Sequence, residues 1–177
     1  QTDPTTDEIY SVGTVCTIVQ FMRLPDGNVK LLIEGLRRAK IVDFIPVEDY
    51  SHVEVEDLIE EGSDGIEDEA LRRSIKMSFD HYVRLNKRIP PETLLQITQI
   101  EDESSLADNL AAHLTTLKLE EKQSLLEQPN PCARLEKIYG FIQSEIEIMR
   151  VEKRIRARVK RQMEKSQKEY YLNEQMS

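Results

Sequence analysis

The C-terminal quarter of the sequence constrains the fold most, because residues 132–177 contain no proline and a single glycine, Gly140. Asn130 and Pro131 precede this stretch, and they are typical of a helix N-cap and of the first helical position. A helix over residues 130–177 would be about 70 Å long at about 1.5 Å per residue. No C-cap signal follows it, so we predict a helix that is cut at its end and a chain that is a fragment.

The two halves of this predicted helix differ in composition. The first half has a broad apolar face that can dock on other helices, formed by Leu135, Ile138, Ile142, Ile146 and Met149. In the second half Arg and Lys occupy most positions, and the apolar residues thin to about one per turn, at Val151, Ile155, Val159 and Met163. We therefore predict that the first half belongs to a bundle, whereas the second half projects or binds a partner.

The rest of the chain divides into a strand-rich part and a helical part. From Ile9 to about Ile59, β-branched and aromatic residues alternate with polar ones, which predicts three or four strands with a turn at Leu24–Asn28. Beyond Gly65 the apolar period changes to about 3.6, and Pro90–Pro91 separates two helical segments. The predicted class is α+β, with a β-rich lobe over 1–60, a bundle of short helices over 61–129 and the long helix over 130–177.

The first predicted strand carries apolar residues on both of its faces over residues 15–22. Such a pattern is typical of a strand that is covered on both sides, so we expect it to be central in its sheet. Cys16 lies within this pattern, and the expected role of its thiol is packing in the core. Val53 and Val55 are expected to face inward from a later strand.

The net charge of −9 is unevenly distributed along the chain. Residues 1–149 contain 29 acids and 15 bases, whereas residues 150–177 contain 9 bases and 4 acids. The stretch 41–71 has no base, and we expect it, with the pair Glu60–Glu61, to be a solvated linker. A stripe of four arginines on the long helix leaves a DNA- or polyphosphate-binding module open as an alternative function: Arg150, Arg154, Arg158 and Arg161.

The usual motifs for nucleotide binding and nucleophilic hydrolysis do not occur in the sequence, which has no G-x-x-x-x-G-K-[ST], G-x-G-x-x-G or G-x-S-x-G run. The three histidines and the two cysteines lack ligand-like spacing, so we expect no metal, no cofactor and no catalytic residue. No run approaches the roughly 18 to 20 apolar residues of a membrane span. The start of the chain is polar and acidic, and we expect a cytoplasmic protein without a membrane partner.

Several segments closely resemble the N-terminal region of bacterial Lon, the ATP-dependent protease. The segments that carry this resemblance lie in the strand-rich part, in the helical part and in the long helix, so that it runs essentially from end to end. They include Leu24-Pro25-Asp26-Gly27, Glu34-Gly35-Leu36-Arg37-Arg38-Ala39, Leu85-Asn86-Lys87-Arg88-Ile89-Pro90-Pro91-Glu92, Ala111-Ala112-His113, Glu152-Lys153-Arg154-Ile155 and the run from Gln162 to Met176.

The resemblance implies a PUA-like β lobe, a helical lobe and a long helix that leads to an ATPase module and a Ser-Lys protease module. The family's β lobe begins several tens of residues earlier, so an incomplete lobe is implied here. The resemblance assigns to this region the capture of unfolded, damaged or degron-bearing proteins, their delivery to the ATPase pore and support of a hexamer. ATP and Mg are expected only for the parent protein, because both catalytic modules are absent from this sequence, which is not expected to be an enzyme by itself.

If the long helix supports assembly, its apolar and aromatic positions are expected to contact another copy or a substrate. The alternative is that they cover a neighbouring lobe of the same chain. These positions are Ile155, Val159, Met163, Tyr170, Tyr171, Leu172 and Met176.

Overall fold

A computed structural model describes residues 4–62 and 65–176, and its α+β architecture confirms the predicted class. The predicted helix end at Ser177 lies outside the described residues. A short 3-10 turn over Thr6–Glu8 precedes three strands, β1 (Val12–Arg23), β2 (Val29–Ile45) and β3 (His52–Asp57). Five helices follow, α1 (Ile66–Leu85), α2 (Pro91–Thr98), α3 (Glu103–Ala112), α4 (Leu119–Glu127) and α5 (Pro131–Met176).

The chain divides into two compact units, each built from two separate stretches of sequence. The β unit comprises residues 1–64 and 116–134, and the helical unit comprises residues 65–115 and 135–177. Helix α4 therefore belongs to the same unit as the strands, and one unit boundary falls inside α5. The boundaries 1–60, 61–129 and 130–177 remain a prediction.

The β unit contains an antiparallel sheet with the strand order β1-β2-β3. A turn joins β1 to β2, and within it Gly27 adopts a positive φ of 87° that glycine tolerates best. The Asp26 carboxylate accepts a hydrogen bond from the backbone N–H of Asn28 at 2.9 Å, which holds the turn locally. The predicted turn at Leu24–Asn28 is thus present, and the strands predicted on both sides of residue 39 form the single strand β2.

The prediction of a central first strand with a buried cysteine is wrong for the residues that the structure describes. β1 pairs only with β2, most of its residues are exposed, and the Cys16 thiol lies on the surface. Val53 is half-buried and Val55 is exposed to 38%. Apolar alternation fixes which side chains share a face, but it does not supply the layer that would cover that face.

Helix α4 packs beside the start of β1 and closes the small core of the β unit. The Gln123 side-chain amide donates a hydrogen bond to the Val12 carbonyl at 3.0 Å, and the Arg38 Nε donates to the Leu126 carbonyl at 3.0 Å. Apolar residues from the strands, α4 and the segment before α4 are buried here, namely Val12, Ala39, Leu117 and Leu125.

Glu60 does not behave as a solvated linker residue, which corrects the expectation for that segment. Its carboxylate lies 2.6 Å from an Nη of Arg134, whose side chain is 1% exposed, and 3.6 Å from an Nη of Arg38. The ion pair is nonlocal, because 74 residues separate Glu60 from Arg134. The composition of the acidic stretch alone could not predict a basic partner so distant in sequence.

The helical unit has a mainly apolar core, in which the polar residues Ser78 and Thr93 are also buried. The apolar face of α1 is buried at its centre, with Ile75, Phe79 and Tyr82 at 0% exposure. Against this core pack the apolar faces of α2, α3 and the first half of α5, contributed by Ile97, Leu106, Leu110, Leu135, Ile138, Ile142 and Ile146. Hydrogen bonds add to this packing, since the Gln143 side chain of α5 donates to the Ser78 hydroxyl of α1 at 2.8 Å.

Side-chain caps hold the starts of α3 and α5, and the start of α5 predicted from Asn130 and Pro131 is confirmed. The Asp102 carboxylate accepts from the backbone N–H of Ser105 at 2.9 Å. The Asn130 side-chain oxygen accepts from the backbone N–H groups of Cys132 at 2.9 Å and Ala133 at 3.2 Å. These bonds satisfy donors that have no partner within the first turn of a helix.

Candidate functional site

One face of the β1–β2 hairpin carries a continuous set of exposed apolar side chains. Residues that pair directly across an antiparallel ladder point to the same side of the sheet. Ile18 pairs with Ile33, Phe21 with Leu31 and Arg23 with Val29. The apolar members of these pairs form the surface that we call the hairpin face, defined by Ile18, Phe21, Val29, Leu31 and Ile33, and each is 47–61% exposed.

The register shift between Ile18 and Gln20 is what makes this face continuous. The extra residue at that shift, Val19, returns Ile18 to the side occupied by Phe21. The opposite side of the same hairpin is mixed, because there Thr17 pairs with Glu34, Gln20 with Leu32 and Met22 with Lys30. The hairpin therefore has one apolar and one amphipathic surface, and the exposed Leu31 and Leu32 lie on different sides.

Charge is placed at the turn end of the hairpin face. The Arg23 guanidinium lies 5.9 Å from the centre of the Phe21 ring, which is within the range of a cation–π contact. In the turn itself, hydrogen bonds from the backbone and then the side chain of Asn28 lower the pKa of the Asp26 carboxyl below its usual value. The Asp26 carboxylate therefore stays ionised near neutral pH and keeps the turn charged.

The distal half of α5 forms a second exposed surface, and it contains all the contact residues predicted for the long helix. At about 100° per residue, Ile155, Val159, Met163 and Tyr170 fall within an arc of about 80°. We call this set the α5 stripe, and its members are 43–67% exposed. Tyr171, Leu172 and Met176 are also exposed, but they point to other sides of the helix.

A shallow groove runs along the α5 stripe in the third and fourth turns before the helix end. Val159 and Met163 provide its apolar part, and Gln162, Ser166 and Gln167 provide its polar part. Side chains four residues apart lie next to each other on a helix, so this groove continues the line of the stripe. The role of these residues in binding a copy or a substrate stays a prediction.

The four arginines of the predicted polyanion site lie on the side of α5 away from the α5 stripe. Arg150, Arg154, Arg158 and Arg161 fall within an arc of about 80°. Glu147 lies 4.0 Å from Arg150 and 3.6 Å from Arg154, so a carboxylate shares the proximal end of this arc. The two distal arginines are exposed.

The sequence pattern placed the α5 stripe but missed the hairpin face. Alternation in β1 and β2 gave the side of each residue, yet the position of the register shift was needed to join Ile18 to Phe21. Two of the three histidines take part in ring contacts, with His52 6.0 Å from the Tyr50 ring and His113 6.3 Å from the Phe79 ring. No helix among the described residues is both long and apolar enough to cross a membrane.

A family model for the substrate-binding domain of the ATP-dependent protease La (LON) matches residues 1–144. This chain belongs to the Lon family. It is 55% identical to Lon protease 1 of Myxococcus xanthus over 174 residues, which cover 98% of this chain and 21% of that relative. It is 52% identical to the Lon protease of Azospirillum brasilense over 176 residues, which cover 99% of this chain and 22% of that relative.

Two solved structures of Lon N-terminal domains share the fold. The N-terminal domain of the Mycobacterium avium complex Lon protease matches with a TM-score of 0.66 and 25% identity, over 79% of this chain and 74% of that chain. A Lon N-terminal domain protein from Xanthomonas campestris matches with a TM-score of 0.51 and 22% identity, over 77% of this chain and 71% of that chain. The resemblance found in the sequence is confirmed.

The substrate-binding family model includes one of the two exposed surfaces and not the other. The chain spans about one fifth of the length of the curated Lon relatives. The substrate-binding family model ends at residue 144, so it includes the whole hairpin face. It stops before the α5 stripe, which begins at Ile155.

Proposed function

We propose that this chain is the substrate-recognition region of a Lon-type ATP-dependent protease, and that the hairpin face makes the first contact with unfolded or degron-bearing proteins. The observation that supports this most is that the hairpin face lies inside the residues matched by the substrate-binding family model. In the parent protein the captured chain would then be delivered to the ATPase and protease modules. ATP and Mg would bind in those modules, and this region would contribute no catalytic residue.

The chemistry of the hairpin face suits clients that share unfolding rather than a sequence. Apolar burial is non-directional and contributes roughly 25 cal/mol per Å² of area removed from water. A folded protein hides most of its large apolar side chains, whereas an unfolded segment presents them. A face made of Ile, Phe, Val and Leu side chains would therefore bind many unfolded segments weakly and folded surfaces hardly at all.

The hairpin offers a matched pair of variants that tests this proposal. Leu31→Asp places a charge on the hairpin face, and Leu32→Asp places the same charge on the next residue, which is 55% exposed on the opposite side. We expect Leu31→Asp to weaken binding to a permanently unfolded, carboxymethylated protein by about tenfold or more, since a buried charge lacks compensation. Leu32→Asp should bind like the unmodified chain.

Fluorescence anisotropy with the labelled unfolded protein measures these affinities, and the native form of the same protein serves as the folded competitor. Equal affinity of the chain for both forms would contradict capture of unfolded clients. An equal loss of affinity for the unfolded protein in Leu31→Asp and Leu32→Asp would show that the hairpin face is not the binding surface. Urea unfolding of each variant checks that the substitution leaves the fold intact.

We further propose that the α5 stripe supports assembly, by pairing with another copy of the chain within a hexamer of the parent protein. The support is its exposure over about four turns, with apolar side chains repeating at helical spacing.

Val159→Lys places a charge in the stripe, and Ala157→Lys places the same charge on the far side of the helix. Light scattering over a concentration series should show association that Val159→Lys abolishes and Ala157→Lys preserves. A strictly monomeric unmodified chain at all concentrations would contradict self-association by this fragment.

A further inference from the structure

We propose that the distal half of α5 docks on an acidic face of the β2–β3 ladder in a second copy of the chain. This docking rests on the assembly role proposed above for the α5 stripe, and it names the surface of the other copy that the stripe meets. Each of the two surfaces lies wholly within one compact unit. The contact is between copies, so it does not depend on how the two units of one chain are arranged.

Cations flank the α5 stripe on both of its sides. Residues 150–161 contain seven bases and one acid, and the described residues beyond 150 are all exposed. At about 100° per residue, Arg156 lies about 60° from Val159 on one side of the stripe, and Arg158 lies about 100° from it on the other. Two stripes that paired with each other over these turns would bring cations against cations, which opposes association. An acidic partner surface is therefore favoured over a second α5.

The strand-rich part of the chain carries the opposite charge. Residues 43–61 contain eight acids and no Lys or Arg. Across the β2–β3 ladder Asp43 pairs with Glu54, and Lys40 pairs with Glu56. Residues that pair directly across a ladder share a side of the sheet, and so do residues two apart in one strand. The exposed carboxylates on this side form the surface that we call the acidic face, defined by Asp43, Glu54 and Glu56.

A register shift between Ile41 and Asp43 sets two carboxylates opposite each other. The extra residue at that shift, Val42, moves Asp43 to the side of Glu54. The Asp43 carboxylate accepts a hydrogen bond from the backbone N–H of Phe44 at 2.9 Å, which orients it without neutralising its charge. Like charges directly opposite each other destabilise a sheet. A cationic surface that covers this pair would offset the repulsion.

The spacing of the charges is similar on the two surfaces. Glu54 and Glu56 are two residues apart in a strand, which is about 7 Å at roughly 3.4 Å per residue. Arg156 and Lys160 are about one helical turn apart, which is about 6 Å at roughly 1.5 Å per residue. Ile45 lies on the same side of the ladder as the acidic face and is 41% exposed, so it offers the α5 stripe an apolar contact.

A charge reversal on the acidic face tests the docking. Glu54→Lys places the new charge opposite Asp43, so the urea midpoint of the chain should stay the same or rise. The dissociation constant between copies should nevertheless increase by about tenfold or more, because the new charge faces cations. Glu34→Lys makes the same charge change at an exposed position of the hairpin and should associate like the unmodified chain. Analytical ultracentrifugation over a concentration series measures these constants.

The reciprocal reversal lies beside the α5 stripe. Arg156→Glu should weaken association as Glu54→Lys does, whereas Arg161→Glu, on the far side of the helix, should not. An equimolar mixture of the Glu54→Lys and Arg156→Glu chains should associate again, because each reversed charge then meets its opposite. A mixture that stays monomeric would overturn the docking.

The salt dependence of association separates this docking from the pairing of two stripes. Contacts between opposite charges are screened, so we expect the dissociation constant to increase by about tenfold or more between about 50 and about 500 mM salt. Two stripes with cationic flanks would instead associate more tightly, because salt screens their repulsion. Association that strengthens with salt would therefore contradict the docking.

The assembly role and the docking fail in different ways. Loss of association in Val159→Lys, together with unchanged association in Glu54→Lys and Arg156→Glu, would overturn the docking and leave the assembly role of the α5 stripe standing. An unmodified chain that is monomeric at every concentration and salt would contradict both.

Discussion

Apolar residues repeat about once per turn in both halves of α5, but those of the first half are buried and those of the second half are exposed. In the first half Leu135, Ile138, Ile142 and Ile146 are 0–2% exposed, whereas in the second half Ile155 and Val159 are 43–44% exposed. The first half meets α1 and its neighbours in the helical core, and the described residues beyond 150 are all exposed. Periodicity thus defines an apolar face, but the face is buried only where another element packs against it. The hairpin face and the α5 stripe are apolar faces that are exposed in the described part of the chain.

The largest effect on stability should come from truncating a buried isoleucine in the first half of α5, and the same substitution in the second half is the comparison. Ile142→Ala removes a fully buried side chain, and we expect a loss of about 2–5 kcal/mol in the free energy of unfolding, from lost transfer energy and a new cavity. At low protein concentration, Ile155→Ala should change the free energy of unfolding by less than about 0.5 kcal/mol. Urea unfolding monitored by circular dichroism measures both. Similar losses at both positions would mean that the distal half is packed in solution.

The start of α5 provides a second contrast, because it is held by local polar bonds. Asn130→Ala removes the side-chain oxygen that two backbone N–H groups share, and we expect a loss of about 1 kcal/mol. Asn173→Ala, in the exposed distal half, should be neutral or slightly stabilising, because alanine has the better helix propensity. The urea midpoints of the two variants compare these effects. A neutral Asn130→Ala would show that packing alone fixes the start of the helix.

The exposed half of α5 should respond to backbone propensity without affecting the cores. Arg158→Gly should disfavour the local helix by about 1 kcal/mol. We expect lower helicity and faster amide exchange within about two turns of residue 158. The urea midpoint of the helical core should stay unchanged, and the NMR signals of the buried Tyr82 report that midpoint. Gln123→Gly in α4 is the packed counterpart, and it should lower the midpoint. A midpoint lowered equally by Arg158→Gly would show that the distal half folds together with the cores.

The smallest effect should come from the turn of the exposed hairpin. The pKa of Asp26 is lowered in the folded state by hydrogen bonds from Asn28, so its contribution to stability is present above the unfolded pKa of about 3.9. It is lost as the pH falls through the lower folded value. The backbone amide of Asn28 should shift in NMR spectra over this acidic window, and Asp26→Asn should abolish the shift. An unchanged titration in Asp26→Asn would assign it to another carboxyl group.

Local signals were sufficient to predict most elements. Pro91 in the first turn of α2 and Asn130 before α5 act within a few residues, so their sequence patterns predicted helix starts that the structure confirms. The apolar period of about 3.6 beyond Gly65 also predicted a helical face, and the structure buries this face at Ile75, Phe79 and Tyr82 because three other helices supply apolar faces to cover it. The α+β class and the turn at Leu24–Asn28 followed from the same short-range rules.

Nonlocal pairing could not be predicted in this way. The burial of Arg134 depends on Glu60, and the exposure of Cys16 depends on what lies beside β1, which no window around residue 16 contains. The hairpin face depends on a one-residue register shift near Val19, because such a shift moves each later side chain to the other side of the sheet. The assignment of α4 to the β unit depends on the long-range contact of Gln123 with Val12.

The interleaving of the two units has a consequence for biosynthesis. A ribosome delivers the three strands long before residues 116–134, which contribute α4 and Arg134 to the same unit. The sheet must therefore wait for more than fifty later residues to emerge before its own core can close, and the helical unit likewise waits for α5. During that interval the nascent strands expose their apolar side chains to water, so a chaperone that binds such side chains would protect the sheet until α4 emerges.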